Sequence, residues 1–303
     1  MLVMGPWFHG GWHRGTGEMF GDINFGKPTG TWFQENLEFP FFQNLLKDKP
    51  KADLPEAMIF ETGSNEWRRY DAWPPKNTVQ KSLFFQQDGK LAFTAPKEAD
   101  GFNEYMSDPA KPVPYADGVH LGRTREYMID DQRFASRRPD VMVYQTDVLT
   151  EDITLAGPIM ADLKVSTTGT DADYVVKVID VYPDDYPNNE PNPNNIQMGG
   201  YQMLVRAEVM RGKFRNSFEK PEPFVPNQVT QVKYTIPDVA HTFKKGHRMM
   251  VQVQNSWFPL VDRNPQKFVD IYKADEKDFQ KAMHRIYHNS QNASSVQVTV
   301  IQQ

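Results

Sequence analysis

Between Tyr201 and Val209 the apolar residues Tyr201, Met203, Val205, Ala207 and Val209 alternate with Gln202, Arg206 and Glu208. A period of two puts one side chain on each face of a pleated strand in turn, so such a segment is a strand with one buried face. The same alternation sets Ile159, Ala161, Leu163 and Val165 against Asp162, Lys164 and Ser166, and recurs over 230–236, 249–253 and 296–300. Residues 172–181 are more continuously apolar and suit a central strand. Short alternating strands separated by Gly, Pro and Asn predict two packed antiparallel sheets, a jelly-roll β-sandwich over residues 51–303. The Pro- and Asn-rich stretch 182–195 is expected to be a surface loop, and 275–279 a short helical turn before a last hairpin.

The first fifty residues break this pattern. Leu2-Val3-Met4 reads as a strand, and 5–30 as a glycine-rich loop. Across Thr31–Lys47 the apolar residues Trp32, Phe33, Leu37, Phe41, Phe42, Leu45 and Leu46 recur at helical spacing, with Pro40 predicting a kink. Such a helix needs a sheet to lie on, and only the one strand is evident. Residues 1–50 therefore look α/β and are expected to form a unit preceding the sandwich. The protein as a whole is mainly β.

The loop carries Gly5-Pro6-Trp7-Phe8-His9-Gly10-Gly11-Trp12. A strand ending in a Gly-Pro turn that delivers a histidine is how an α/β-hydrolase presents its catalytic base. In that fold the nucleophile and acid precede the histidine along the chain. Here the histidine comes almost first. None of the serines lies in a Gly-x-Ser-x-Gly elbow, and there is no cysteine to serve instead. The chain carries at most one triad member and reads as the back half of a hydrolase, with residues 1–50 expected to be the last strand, histidine loop and helix of an α/β-hydrolase domain.

The composition excludes other classes. A net charge of −5 with scattered Lys and Arg offers no footprint for nucleic acid. No apolar run approaches the length of a membrane span, and no signal-peptide pattern opens the sequence. The absence of cysteine removes disulfides and thiolate zinc sites. No metal or cofactor is expected. Composition does not fix the compartment; a bacterial periplasmic or secreted location is the expectation, and homo-oligomerisation is left open.

Several further segments accompany the histidine loop: Leu54-Pro55-Glu56-Ala57, Glu66-Trp67-Arg68, Trp73-Pro74-Pro75, Asp131-Gln132-Arg133-Phe134 and Arg137-Arg138-Pro139-Asp140-Val141. Beyond them come Asp171-Ala172-Asp173-Tyr174, Asp180-Val181-Tyr182-Pro183, Gly246-His247-Arg248, Asn255-Ser256-Trp257-Phe258-Pro259 and Asp262-Arg263-Asn264-Pro265. With Gly-Pro-Trp-x-His at 5–9, this order resembles the C-terminal portion of the X-Pro dipeptidyl-peptidase, cocaine esterase and α-amino-acid ester hydrolase family. The resemblance implies a hydrolase domain with a helical cap followed by a jelly roll, and cleavage of esters or amides through an acyl-serine. It implies that His9 is the general base. The family's serine, aspartate, oxyanion-hole tyrosine and cap have no counterpart here. The implied partners are a small ester, amide or X-Pro peptide substrate and an N-terminal catalytic half, in cis or in trans.

Around His9, Trp7 is expected to pack beneath the loop, while Phe8 and Trp12 are candidates to wall an acyl pocket. His9 and His13 have the spacing of two helical metal ligands, but Gly10 and Gly11 between them disfavour a helix and no metal is assigned. Asp171 and Asp173 are read as solvated carboxylates, with calcium as the alternative. Asp262, Arg263 and Asn264 suggest an interdomain hydrogen-bond knot or the rim of the active-site mouth. A rival reading is a stand-alone sandwich that binds carbohydrate or protein without catalysis.

Overall fold

The computed structural model describes residues 1–47 and 53–302. It opens with β1 (Leu2–Met4), a small hairpin of β2 (Met19–Phe20) and β3 (Ile23–Asn24), and a helix in three parts: α1 (Thr29–Phe33), a π-helical turn (Gln34–Glu38) and α2 (Phe39–Lys47). The helix runs through Pro40 without breaking. The irregularity lies just upstream, where the Phe39 N–H reaches back to the Gln34 carbonyl, a wider turn of the kind that accommodates a ring with no N–H to donate.

Next come β4 (Ala57–Glu61) and β5 (Glu66–Tyr70). Strand β1 lies parallel to β4, with Leu2 opposite Ala57 and Met4 opposite Ile59, and β5 is antiparallel to β4. The expected single strand is thus the edge of a three-stranded sheet. All five residues of β4 are buried, so no alternation marks it in the sequence.

The remaining strands are β6 (Thr78–Phe85), β7 (Leu91–Ala92), β8 (Phe102–Ser107), β9 (Met142–Gln145), β10 (Ile153–Thr167) and β11 (Asp173–Val181). They continue with β12 (Gln202–Arg211), β13 (Thr230–Phe243), β14 (Arg248–Gln254), β15 (Ala282–Tyr287) and β16 (Ser295–Ile301). A further short helix, α3, spans Arg133–Ser136. One sheet runs β7-β6-β16-β10-β15-β8, with β13 also on β10; the other runs β12-β11-β14-β9. Their facing sides share one core, in which Phe85 of the first sheet stacks on Tyr144 of the second at 4.2 Å. The expected two-sheet sandwich is present.

Strand β11 is central, as its apolar run predicts. Tyr174, Val176 and Val178 face the inter-sheet core, whereas Val175 and Ile179 face a second cluster with Tyr115 and Trp257. Strand β12 departs from strict alternation. Val178 pairs with Arg206 and Ile179 with Leu204, so Val205 is a bulge. Beyond it the faces exchange: Ala207 and Val209 join Leu204 in the outer cluster, and Met210 enters the core.

The 182–195 segment is the expected irregular loop, and Glu276–Asp278 forms the expected helical turn. The last two strands are not a simple hairpin. They meet at one bridge, His288 to Ala293, and then both pair with β10.

A strand-end pairing and an apolar cluster are among the contacts that seat the N-terminal unit on the sandwich. Thr62 exchanges backbone hydrogen bonds with Ala240 and Thr242, and Glu61 accepts from the Thr242 hydroxyl at 2.8 Å. Ile23, Phe25 and Phe60 pack with Ile129, Met198, Tyr201 and Met203. The helix stripe is only half covered. Leu37 is buried and Trp32 stacks on Trp67 at 4.8 Å, but Phe39, Phe42, Leu45 and Leu46 are exposed. Among the described residues no helix is long and apolar enough to cross a membrane.

Candidate active site

The loop after β1 is shaped by its glycines and by Trp7. A Cβ on Gly5 would lie 2.3 Å from the Trp7 ring, so only glycine lets the indole fold back against the strand end. Trp7 donates from Nε1 to the Thr29 hydroxyl at 2.8 Å, and Thr29 donates to the Gly17 carbonyl at 2.6 Å. The indole lies against Phe33, Trp67 and Trp12, with centroids 5.3, 5.8 and 6.1 Å away. Trp7 is the packing anchor beneath the loop. Gly10, with φ of +73°, then turns the chain into a short 3-10 segment at Gly11–His13.

His9 sits at the exposed tip of this turn, where the Gly11 N–H donates to the Phe8 carbonyl. Its ring has no hydrogen-bond or ion-pair partner among the described residues. An imidazole with no partner at such a tip can take or return a proton, provided another group fixes its tautomer.

His9 opens onto a cavity of about 400 Å³. One wall is Phe8, His9 and Arg14; the other is Arg123, Arg125 and Tyr127, from the long connection between β8 and β9. The Arg125 guanidinium lies 4.5 Å above the Phe8 ring and ties the walls together. Trp12 lies outside this cavity, with its ring against Trp7 and His13 and its carbonyl accepting from Gln34. His13 lies 3.8 Å from Glu38. Among the described residues no group of three or more His, Asp or Glu is placed to hold a metal ion.

Asp171 and Asp173 are buried rather than solvated, which corrects the surface expectation. The β11–β12 register sets Asp173 directly opposite Arg211, whose guanidinium bonds it at 3.2 Å. Lys213 stands 3.5 Å from Asp171, so a cation already faces each carboxylate where calcium would have to bind. Asn264 donates to Asp173 at 2.7 Å, Asp262 accepts from Arg211, and Arg263 donates to the Pro109 carbonyl. The expected knot exists, but it lies within the sandwich and not between domains.

The sequence reading also missed an acid close to the second wall. Burial, with Asp22 and Glu126 nearby, pushes the Asp130 carboxyl up to about 6. Asp130 lies three residues beyond Tyr127 in a stretch without periodicity, and no sequence signal marks it.

The X-Pro dipeptidyl-peptidase C-terminal non-catalytic domain matches residues 47–297. Cocaine esterase from Rhodococcus sp. (strain MB1 Bresler) is 27% identical over 99% of this chain and 51% of its own length. The solved aminopeptidase from a marine sediment archaeon, Thaumarchaeota archaeon, has a TM-score of 0.92 at 42% identity, covering 99% of this chain and 49% of that one. An α-amino acid ester hydrolase has a TM-score of 0.92 at 40% identity, covering 99% and 50% respectively. The chain therefore spans about half the length of the relatives it matches. It belongs to the family of X-Pro dipeptidyl-peptidase C-terminal domains and corresponds to the C-terminal portion of the cocaine esterase and α-amino-acid ester hydrolase group.

Proposed function

We propose that this chain is the C-terminal part of a serine hydrolase that cleaves ester or amide bonds, with His9 as its general base. The carrying observation is the position of His9: a partnerless imidazole at the tip of an anchored loop, opening onto a cavity with a second wall from the sandwich side. The reaction is acyl transfer to water. His9 takes the proton of a serine as it attacks the carbonyl carbon, then returns it to the departing alcohol or amine. The acyl-serine is hydrolysed by the same exchange with water.

The serine and the tautomer-fixing aspartate come from an upstream hydrolase half, in cis or in trans. The half-length match to esterases and to an aminopeptidase supports this. So do the exposed α2 face and the outer edge of β1, which is unpaired among the described residues; these are surfaces that half would cover. By itself the chain is expected to be inactive.

The test is turnover of a p-nitrophenyl ester by this chain joined to, or co-expressed with, an upstream hydrolase half. His9→Ala is expected to lower kcat about 100-fold or more. Near wild-type turnover by that variant would overturn the assignment.

A further inference from the structure

The cavity beside His9 carries an unusual charge for this molecule. The chain has a net charge of −5, yet Arg14, Arg123 and Arg125 all line this one space. None of them makes an ion pair among the described residues. Among the described residues no carboxylate lines the cavity: Glu126, the nearest in sequence, turns its carboxylate to the backbone N–H of Arg125. Three unpaired guanidiniums in one concavity repel each other and focus a positive potential, an arrangement that an anion relieves.

The geometry narrows which anion fits. The Arg125 guanidinium rests on the Phe8 ring, which restricts its plane while leaving its N–H edge free to donate. A planar fork of donors matches the two oxygens of a carboxylate. The Tyr127 and Phe8 rings supply apolar surface for the rest of the ligand, and about 400 Å³ holds a group the size of an amino acid with a short acyl substituent.

We propose that this cavity binds a carboxylate carried by the substrate, so that the ester or amide presented to His9 belongs to an acid such as an acylated amino acid or a peptide with a free C-terminus. The proposal rests on His9 being the base, and it assigns Arg123 and Arg125 as specificity-determining residues. They hold the carboxylate and through it place the scissile bond; they take no part in proton transfer. Arg14, on the same side as His9, adds charge.

The test uses this chain as it stands and two probes that differ only in charge, hippurate and its neutral amide, hippuramide. Binding is followed through the NMR signals of the arginine Nε–H groups and the His9 ring. Hippurate is expected to bind at least about fivefold tighter than hippuramide, with the preference shrinking as salt is added. R123Q/R125Q is expected to abolish the preference, and R123K/R125K to keep it in weaker form, because lysine retains charge but not the fork.

Equal binding of the two probes, no binding of either, or an undiminished preference in R123Q/R125Q would each overturn the proposal. These outcomes are independent of the esterase assay. If hippurate preference fails while His9→Ala still abolishes turnover, the catalytic assignment stands and the specificity assignment falls. If His9→Ala is harmless while the preference holds, the site is an anion site unconnected to catalysis.

Discussion

The guanidinium of Arg125 lies 4.5 Å above the ring of Phe8, joining residues separated by most of the first two-fifths of the chain. Phe8 belongs to the loop that holds His9, and Arg125 to the connection between β8 and β9, which also covers the outer face of the second sheet. The sandwich therefore supplies one wall of the cavity in which the histidine stands. The contact should be measurable: an F8A/R125A double-mutant cycle, read by urea denaturation, is expected to give a coupling of about 0.5–1 kcal/mol. Additive single-mutant losses would mean that the walls do not communicate.

The loop itself depends on Gly5. Adding a methyl group there would place it 2.3 Å from the Trp7 ring, forcing the indole away from Thr29 and from its aromatic neighbours. Gly5→Ala is expected to cost about 1–3 kcal/mol, the usual scale for an overpacked site. Gly15 is the control, because nothing lies within 4 Å of a Cβ built there. Gly15→Ala is expected to change stability by no more than about 0.5 kcal/mol. Denaturation monitored by tryptophan fluorescence compares the two.

Much of the fold was legible because it follows a period. The alternation of 159–166 and 230–236 gives β10 and β13, and the largely apolar run at 172–181 gives the central strand β11. Strand β4 was illegible for the same reason in reverse, since it is buried on all sides and has no polar phase to reveal its direction. Leu204 interrupts the β12 alternation, but only the pairing with β11 shows that the interruption is a bulge. The candidate-site residues divide in the same way. His9 is marked as a candidate by a local Gly-Pro turn and a histidine. Arg123 and Arg125 had no local signal, because they meet His9 only through tertiary packing. Asp173 was misread as surface because the cation that faces it, Arg211, is set opposite by strand register, which a charge pattern along one segment does not encode.

Asp130 makes a pH-dependent prediction. Its carboxyl titrates at about 6 in the folded chain, because burial and then Asp22 and Glu126 disfavour the ionised form; in the unfolded chain it titrates near the ordinary value of 3.8. A folded-state value raised in this way favours the fold at low pH, and that contribution is lost as pH rises through about 6. Asp130→Asn removes the charge. At pH 7.5 the variant is expected to be more stable than wild type by on the order of 1 kcal/mol, after allowance for partial solvent screening. The difference should narrow as pH falls through 6 and vanish below 4. Urea titrations at pH 4, 6 and 7.5 decide it, and a gap that does not vary with pH would show that Asp130 is not the source.

Lys177 poses the opposite case. It lies on the outer face of β11, fully buried, donating to the Gln132 side chain at 2.8 Å beneath the rings of Phe134 and Trp257. One neutral acceptor and two ring faces do not replace the hydration of an ammonium, and burial lowers its pKa to about 7 from an ordinary 10.5. The folded state therefore holds its proton less tightly than the unfolded chain does. The resulting penalty is largest below pH 7 and declines as pH rises toward 10.5, so this group makes wild-type stability climb across that window. Lys177→Met keeps the length of the side chain and its contact with the two rings while removing the charge, at the cost of leaving the buried Gln132 Oε1 without its donor. The variant is expected to gain on the order of 1–3 kcal/mol at pH 6–7, with the gain shrinking toward pH 10 as wild-type Lys177 is neutralised in both states. Denaturation midpoints at pH 6, 8 and 9.5 provide the comparison. A Lys177→Met variant that is less stable than wild type at pH 6 would show that the lysine is satisfied as an ion by the Gln132 acceptor and the aromatic faces.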